Sequence, residues 1–334
     1  MDPELRLLEQ LKGSGKPGLA RALSLLEAEE PDGEALRLVE CAHRRPRGRV
    51  IGITGAPGAG KSTLVGALIP RLRARGLTVA VLAVDPSSHR SGGALLGDRI
   101  RLALDPEDEG LFVRSLAARD RLGGLAEAAA GGVALLRALF DRVLVETVGI
   151  GQSEREVEEV SDLVVLAVPP EAGDLLQFIK AGVLEIPDLI AVTKTDLGER
   201  AAQAARALEA ALAARPDGRR IPVHRIAAPR GDGVDQLVEA LERSGADLER
   251  SGAIEARRRM RAEAQFLRMV REAFGRLGVE LVQSGSIDDD RNRSPSGRFH
   301  HVSARLRARL LGEEKTPPPA QDGRRQAGRG EGGR

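Results

Sequence analysis

Nine residues, Gly55 to Thr63, read GAPGAGKST and fit the pattern G-x-x-x-x-G-K-[ST]. They follow the apolar run RVIGIT (49–54) and open a helical stretch from about Ser62. In that setting a loop can close its backbone N–H groups around phosphate oxygens. Gly55, Ala56, Pro57, Gly58, Ala59 and Gly60 keep side chains out of the way, and the helix N-terminus adds favourable potential. Lys61 would bridge the β- and γ-phosphates, and Ser62 would ligate Mg²⁺. The chain has 51 cationic residues, of which only six are lysines. Lysine at 61 therefore runs against the composition, at the position where a slim point charge must enter a phosphate cage.

A second stretch names the base. TKTD, Thr193–Asp196, closes the apolar run 189–193, and Leu197 follows it. The Asp196 carboxylate can accept from both guanine N1–H and the 2-amino group, a donor pair adenine lacks. The Lys194 stem can lie over the base plane, while Thr193 has a shorter reach than the Asn more usual there. Alone, the tetrapeptide also reads as a turn with an Asp cap on the helix that follows. Behind a phosphate loop at the correct strand it reads as a guanine site, so GTP and GDP are the expected ligands.

Carboxylates complete the set. Asp85 ends the strand after the phosphate-loop helix, and Glu146 ends RVLVE (142–146). In an open parallel sheet both strand ends face one crevice, where an acidic residue suits Mg²⁺ held directly or through water. Gly149 offers an N–H to a γ-phosphate. Asp98 lies at the far end of VDPSSHRSGGALLGDR (84–99) and would reach the metal only when that glycine-rich loop is drawn in. The competing reading is a solvated loop in which Asp98 pairs with Arg99 or Arg101. Lys61, Asp98 and Glu146 are the expected catalytic group, and Ser62, Asp85, Asp98 and Glu146 the metal group.

Seven apolar runs, at 49–54, 78–84, 111–116, 142–146, 162–168, 189–193 and 221–226, are separated mostly by helical stretches. Continuous apolar strands alternating with helices predict an α/β fold with a mostly parallel sheet covered on both faces. Pro70 should kink or end the helix it sits in. The expected organisation is a helical segment over 1–48, a P-loop GTPase domain over 49–248, a charged helical arm over 249–282, and a flexible Pro/Gly/Arg-rich tail over 283–334.

Composition limits the rest. The net charge is +2, which calls for no nucleic-acid partner. No apolar run approaches membrane-spanning length. A single cysteine, Cys41, excludes a disulfide framework and points to a reducing, cytoplasmic setting. The five histidines, His43, His89, His224, His300 and His301, have no Cys or carboxylate at ligand spacing.

Taken together, GITGAPGAGKSTL, VDPSS…SGGALLGDR, ETVGIGQSE, GDLLQFIKAGVLEIPDL and TKTD resemble the methylmalonyl-CoA mutase-associated GTPases, G-protein chaperones once labelled arginine/ornithine transport ATPases. The likeness runs from about Leu5 to Val282. It implies a homodimeric P-loop GTPase, related to nickel- and cobalamin-delivery proteins, that guards adenosylcobalamin loading into an acyl-CoA mutase. A cobalamin adenosyltransferase is a further partner to consider. By position, Lys61, Ser62, Asp85, Asp98 and Glu146 match the family's phosphate and magnesium residues. Ala227 and Ala228 stand where a Ser-Ala pair often contacts guanine O6, a contact a backbone N–H can still make. Gly173–Gly182 matches a mobile loop that passes nucleotide state to the mutase, with Asp174, Gln177, Phe178 and Lys180 as the coupling residues; helical spacing also allows an ordinary packed helix there. A nickel-insertion GTPase is disfavoured for want of a His-rich run or Cys pair. A small-molecule kinase on the same loop would need no guanine contact.

Overall fold

The computed structural model describes residues 2–28, 33–86, 105, 107–118, 124–147, 153–170, 185–213 and 220–310. Three helices come first, α1 (Pro3–Gly13), α2 (Gly15–Leu26) and α3 (Gly33–Arg44). The alternating part follows: β1 (Arg49–Thr54), α4 (Lys61–Ala74), β2 (Val79–Pro86), β3 (Leu111–Ala118), α5 (Gly124–Leu139), β4 (Arg142–Thr147), α6 (Ser153–Val160), β5 (Leu163–Val168), β6 (Leu189–Val192), α7 (Glu199–Ala213), β7 (Val223–Arg225) and α8 (Val234–Arg250). Two more helices, α9 (Ala253–Gln283) and α10 (Pro295–Leu310), close the described chain.

The seven strands form one sheet in the order β3-β2-β4-β1-β5-β6-β7, and every pairing is parallel. The seven apolar runs became these seven strands because both faces of each are buried. Side chains alternate along a strand. On β1, Ile51 and Ile53 meet Leu64, Leu68 and Leu72 of α4 and Leu237 and Leu241 of α8. Val50 points the other way, into a layer with Leu23, Leu38, Leu135 and Leu136 from α2, α3 and α5. Each such side chain, fully withdrawn from water, contributes roughly 1.5–3 kcal/mol. With β1 central, its C-terminal end opens where the strand order reverses direction, the usual place for a ligand crevice.

Two expectations are corrected. Pro70 does not end α4, which runs on to Ala74 before its cap at Arg75; Leu68, Ile69 and Leu72 are all buried around it, so packing outweighs the lost helix hydrogen bond. The expected flexible stretch from 283 does not hold over 295–310, where α10 packs Val302 and Leu306 against Phe266 and Val270 of α9. The Arg298 guanidinium lies 3.9 Å over the Phe266 ring and pairs with Asp289 at 2.5 Å and Glu263 at 2.7 Å. The arm itself is not one straight helix, because Gly275 interrupts α9 at φ 65°, ψ −162°.

Candidate nucleotide site

The phosphate loop leaves β1 at Gly55, whose φ is 143°. A Cβ there would come within 2.2 Å of the Ala167 carbonyl oxygen on β5, so only glycine lets the two strands close below the loop. Gly58 and Gly60 also take positive φ, at 75° and 84°, and the Ala59 N–H donates to the Ala56 carbonyl at 3.1 Å. Gly60 is the cap of α4, so the loop delivers Lys61, Ser62 and Thr63 on the first helical turn. Lys61 is 6% exposed and its ammonium donates to the Gly55 and Ala56 carbonyls at 2.8 and 3.1 Å. The cation thus lies folded over the loop it would share with phosphate oxygens.

Beside it, the Ser62 hydroxyl donates to Glu146 Oε1 at 2.5 Å. Glu146 pairs in register with Ile53 of β1 and is 9% exposed. The two residues come from α4 and β4 and meet only because the sheet sets β4 beside β1. A hydroxyl and a carboxylate oxygen so placed are the hard donors that Mg²⁺ takes, and they fit that ion. Asp85 lies at the C-terminal end of β2, two residues past Ala83, the partner of Glu146.

The residues expected to read the base lie across β5. Thr193, 3% exposed, donates its hydroxyl to the Ala59 carbonyl at 2.6 Å, which ties the end of β6 directly to the phosphate loop. Lys194 follows at φ 53°, ψ 36°. It is the only non-glycine at positive φ among the described residues, a costly backbone state that clusters at functional sites. The Thr195 N–H donates to the Ile226 carbonyl at 3.1 Å, pinning the turn to the end of β7. Asp196 is exposed and Leu197 is 52% exposed on the short 3₁₀ turn Thr195–Leu197. Ala227 spends its N–H on the Asp232 carbonyl at 3.1 Å, so of that pair it is the Ala228 N–H that could make the expected guanine O6 contact.

The sheet therefore brings together the phosphate-loop residues, Glu146, Thr193–Leu197 and Ala227–Ala228. Asp98, Gly149, Asp174, Gln177, Phe178 and Lys180 lie outside the described residues, as does the Asp85 side chain. The Thr193 bond to Ala59 is not legible in the sequence, because the two residues lie 134 positions apart. Among the described residues no three His, Cys, Asp or Glu side chains gather as a metal-holding group. Burial pushes the His43 and His224 imidazoles down from their usual range.

Comparison with known proteins identifies the family. The family described as methylmalonyl-CoA mutase-associated GTPase MeaB matches residues 19–279. A Mycobacterium bovis protein named a probable GTPase is 40% identical over 280 residues, 80% of this chain and 82% of its own. The Mus musculus protein named methylmalonic aciduria type A homolog, mitochondrial, is 34% identical over 229 residues, 66% of this chain and 55% of its own. A crystal structure described as LAO/AO transport system kinase superposes with a TM-score of 0.62 at 25% identity, covering 92% of this chain and 99% of that one. With a P-loop GTPase fold and a family match over most of its length, the chain belongs to the methylmalonyl-CoA mutase-associated GTPases.

Proposed function

We propose that this GTPase is a chaperone that gates adenosylcobalamin loading and protection of an acyl-CoA mutase, with GTP hydrolysis as the timing step. The observation that carries the reading is the match of residues 19–279 to a family described by its association with methylmalonyl-CoA mutase, on a chain with its phosphate and base motifs in one crevice.

Hydrolysis moves the γ-phosphoryl group of GTP to water and releases GDP, and positioning with charge neutralisation does most of the work. The loop from Gly55 to Gly60 cradles the phosphates with backbone N–H groups. Lys61 leaves its two carbonyl partners for the β- and γ-phosphates. Ser62 and Glu146, with Asp85 and Asp98, would hold Mg²⁺, which supplies neutralisation of charge on the β- and γ-oxygens when bound. Gly149 offers an N–H to the γ-phosphate. Asp196 accepts from the guanine edge, Lys194 covers the base, and Thr193 holds that edge at a fixed distance from the phosphates.

Nucleotide state reaches the mutase through Gly173–Gly182. In sequence that segment follows β5, whose C-terminal end lies on the side of the sheet that carries Thr193 and Glu146. Coupling needs a segment whose two arrangements the partner distinguishes, and Asp174, Gln177, Phe178 and Lys180 supply charge, amide and aromatic contacts for it. Two large apolar side chains on α9, Met260 at 66% and Leu277 at 59% exposure, support a homodimer. The test is GTP turnover with and without an adenosylcobalamin-dependent acyl-CoA mutase. The parent should respond to the mutase, and the variant with Asp174, Gln177 and Lys180 changed to Ala should bind GTP normally and lose the response. Full mutase stimulation in that variant contradicts the coupling role. Tight ATP binding in a nucleotide panel would favour a small-molecule kinase instead.

A further inference from the structure

At the other end of the strands from the phosphate loop, a cavity of about 70 Å³ lies between α3, α5, α6 and the arm helices α9 and α10. A strand of six residues separates it from the nucleotide crevice, roughly 20 Å. Its walls include Arg137 of α5, Arg258 and Arg261 of α9, and Ser161. Three of their donors are shut off from solvent with no hydrogen-bond partner among the described residues: Arg137 Nε, Arg261 Nη1 and Ser161 Oγ. Buried polar groups left unpaired are uncommon and costly.

The two carboxylates of the wall do not supply what is missing. Asp162 is 1% exposed and gives both oxygens to Arg258 at 2.7 Å, while its Oδ2 also accepts the Val50 N–H at 2.8 Å. Glu159 is engaged by Arg268 at 2.5 Å. Arg137 forms no ion pair among the described residues. Burial, reinforced by the neighbouring Arg258 charge and only partly offset by Asp162, pushes the Arg137 guanidinium down to about 10. Burial pushes Arg261 down as well. Arg261 Nη2 has the Glu158 carboxylate at 4.0 Å, which leaves Arg137 as the cation of the wall with no carboxylate of its own among the described residues. The sixteen-residue helix α10 also begins here, with Ser294, Pro295 and Ser296 in the wall, but the Glu40 carboxylate already accepts the Ser294 N–H and hydroxyl at its start.

We propose that this cavity is a binding site for one free tetrahedral oxyanion of the size of inorganic phosphate, held by Arg137, Arg261 and Ser161 and joining the arm to the core. At roughly 10–15 Å³ for each water centre the space holds about five to seven waters, enough for a five-atom anion. Guanidinium forks match such an anion well. A bound anion bridging α5 and α9 stabilises the folded chain in proportion to its occupancy.

The test is thermal unfolding of the full chain with saturating GDP and Mg²⁺, titrated with inorganic phosphate against chloride at matched ionic strength. Phosphate about tenfold above its Kd should raise Tm by about 3 °C. The Lys61→Ala chain should keep that shift, which separates this cavity from the nucleotide crevice. Arg137→Met should lose it while melting no lower than the parent without phosphate, because the substitution removes a buried unpaired charge. Ser161→Ala should weaken phosphate about fivefold and serves if Arg137→Met does not fold. An equal phosphate shift in the parent and either cavity variant overturns the proposal, as does loss of the shift in Lys61→Ala. Glycerol phosphate stabilising as well as phosphate overturns the free-anion assignment.

Discussion

The Thr193 hydroxyl and the Ala59 carbonyl meet at 2.6 Å, so the residue that opens the turn Thr193–Asp196 is bonded to the middle of the phosphate loop. Both partners are buried. Thr193→Val keeps the shape and leaves the Ala59 carbonyl without this donor, at a cost of about 1–3 kcal/mol. Part of that cost should appear as weaker GDP binding, because the two halves of the site lose their fixed spacing. Calorimetric titration with GDP checks it; an unchanged affinity would mean that the bond does not position the base site.

Asp196→Asn exchanges an acceptor for a donor against the guanine 2-amino group. GTP affinity should fall by about 2 kcal/mol or more, some thirtyfold, since polar groups are left mispaired. Competition binding with GTP and ATP on both proteins gives the answer, and an unaltered preference for GTP would remove Asp196 from the guanine contact.

Lys61→Ala should abolish hydrolysis. Glu146→Ala, which strips the Ser62 hydroxyl of its 2.5 Å acceptor, should keep much of the GDP affinity and lose Mg²⁺-dependent turnover. Turnover at the parental rate in Glu146→Ala would refute the metal role for that carboxylate.

Leu306 is 1% exposed and packs in the cluster with Phe266 and Val302. Leu306→Ala should lower stability by about 2–5 kcal/mol, read as a shift in the urea midpoint. A surface tail would show almost no change.

The strands were legible because each is an apolar run buried on both faces, and the phosphate loop because glycine spacing and lysine chemistry leave few alternatives. α10 carried signals that its charge obscured. Ser294 stands before Pro295 at the first helical position, and its hydroxyl accepts the Gly297 N–H at 3.1 Å. Phe299, Val302 and Leu306 follow at helical spacing. The cavity of Arg137 was not legible at all. It assembles residues from five segments, and no local pattern distinguishes a buried arginine lacking a carboxylate from the many that have one. Arg258, for instance, meets Asp162 across 96 residues of sequence.

Acid should weaken the clasp between the sheet and α8. Burial alone would raise the Glu242 carboxyl, but the hydrogen-bonded Arg142 guanidinium, with Arg49 nearby, outweighs it and holds the group below its usual range. A carboxyl lowered in the folded state stabilises above its unfolded pKa, about 4.3, and that contribution disappears as pH falls through the folded value. Glu242→Gln should therefore lower stability at neutral pH and flatten its decline below about pH 4.5. Chemical unfolding of both proteins between neutral and acid pH measures this, and parallel declines would exclude Glu242 as a contributor.

The central claim is that guanine nucleotide state and mutase binding are coupled. The direct measurement is the affinity of the full-length chain for an adenosylcobalamin-dependent acyl-CoA mutase, taken once with GDP and once with a non-hydrolysable GTP analogue, Mg²⁺ being present in both. Coupling of about 1–3 kcal/mol, or roughly 5–150-fold, is the ordinary range for such linkage, and the two affinities should differ by at least fivefold. Equal affinities in the two states, or no binding in either, would contradict the account.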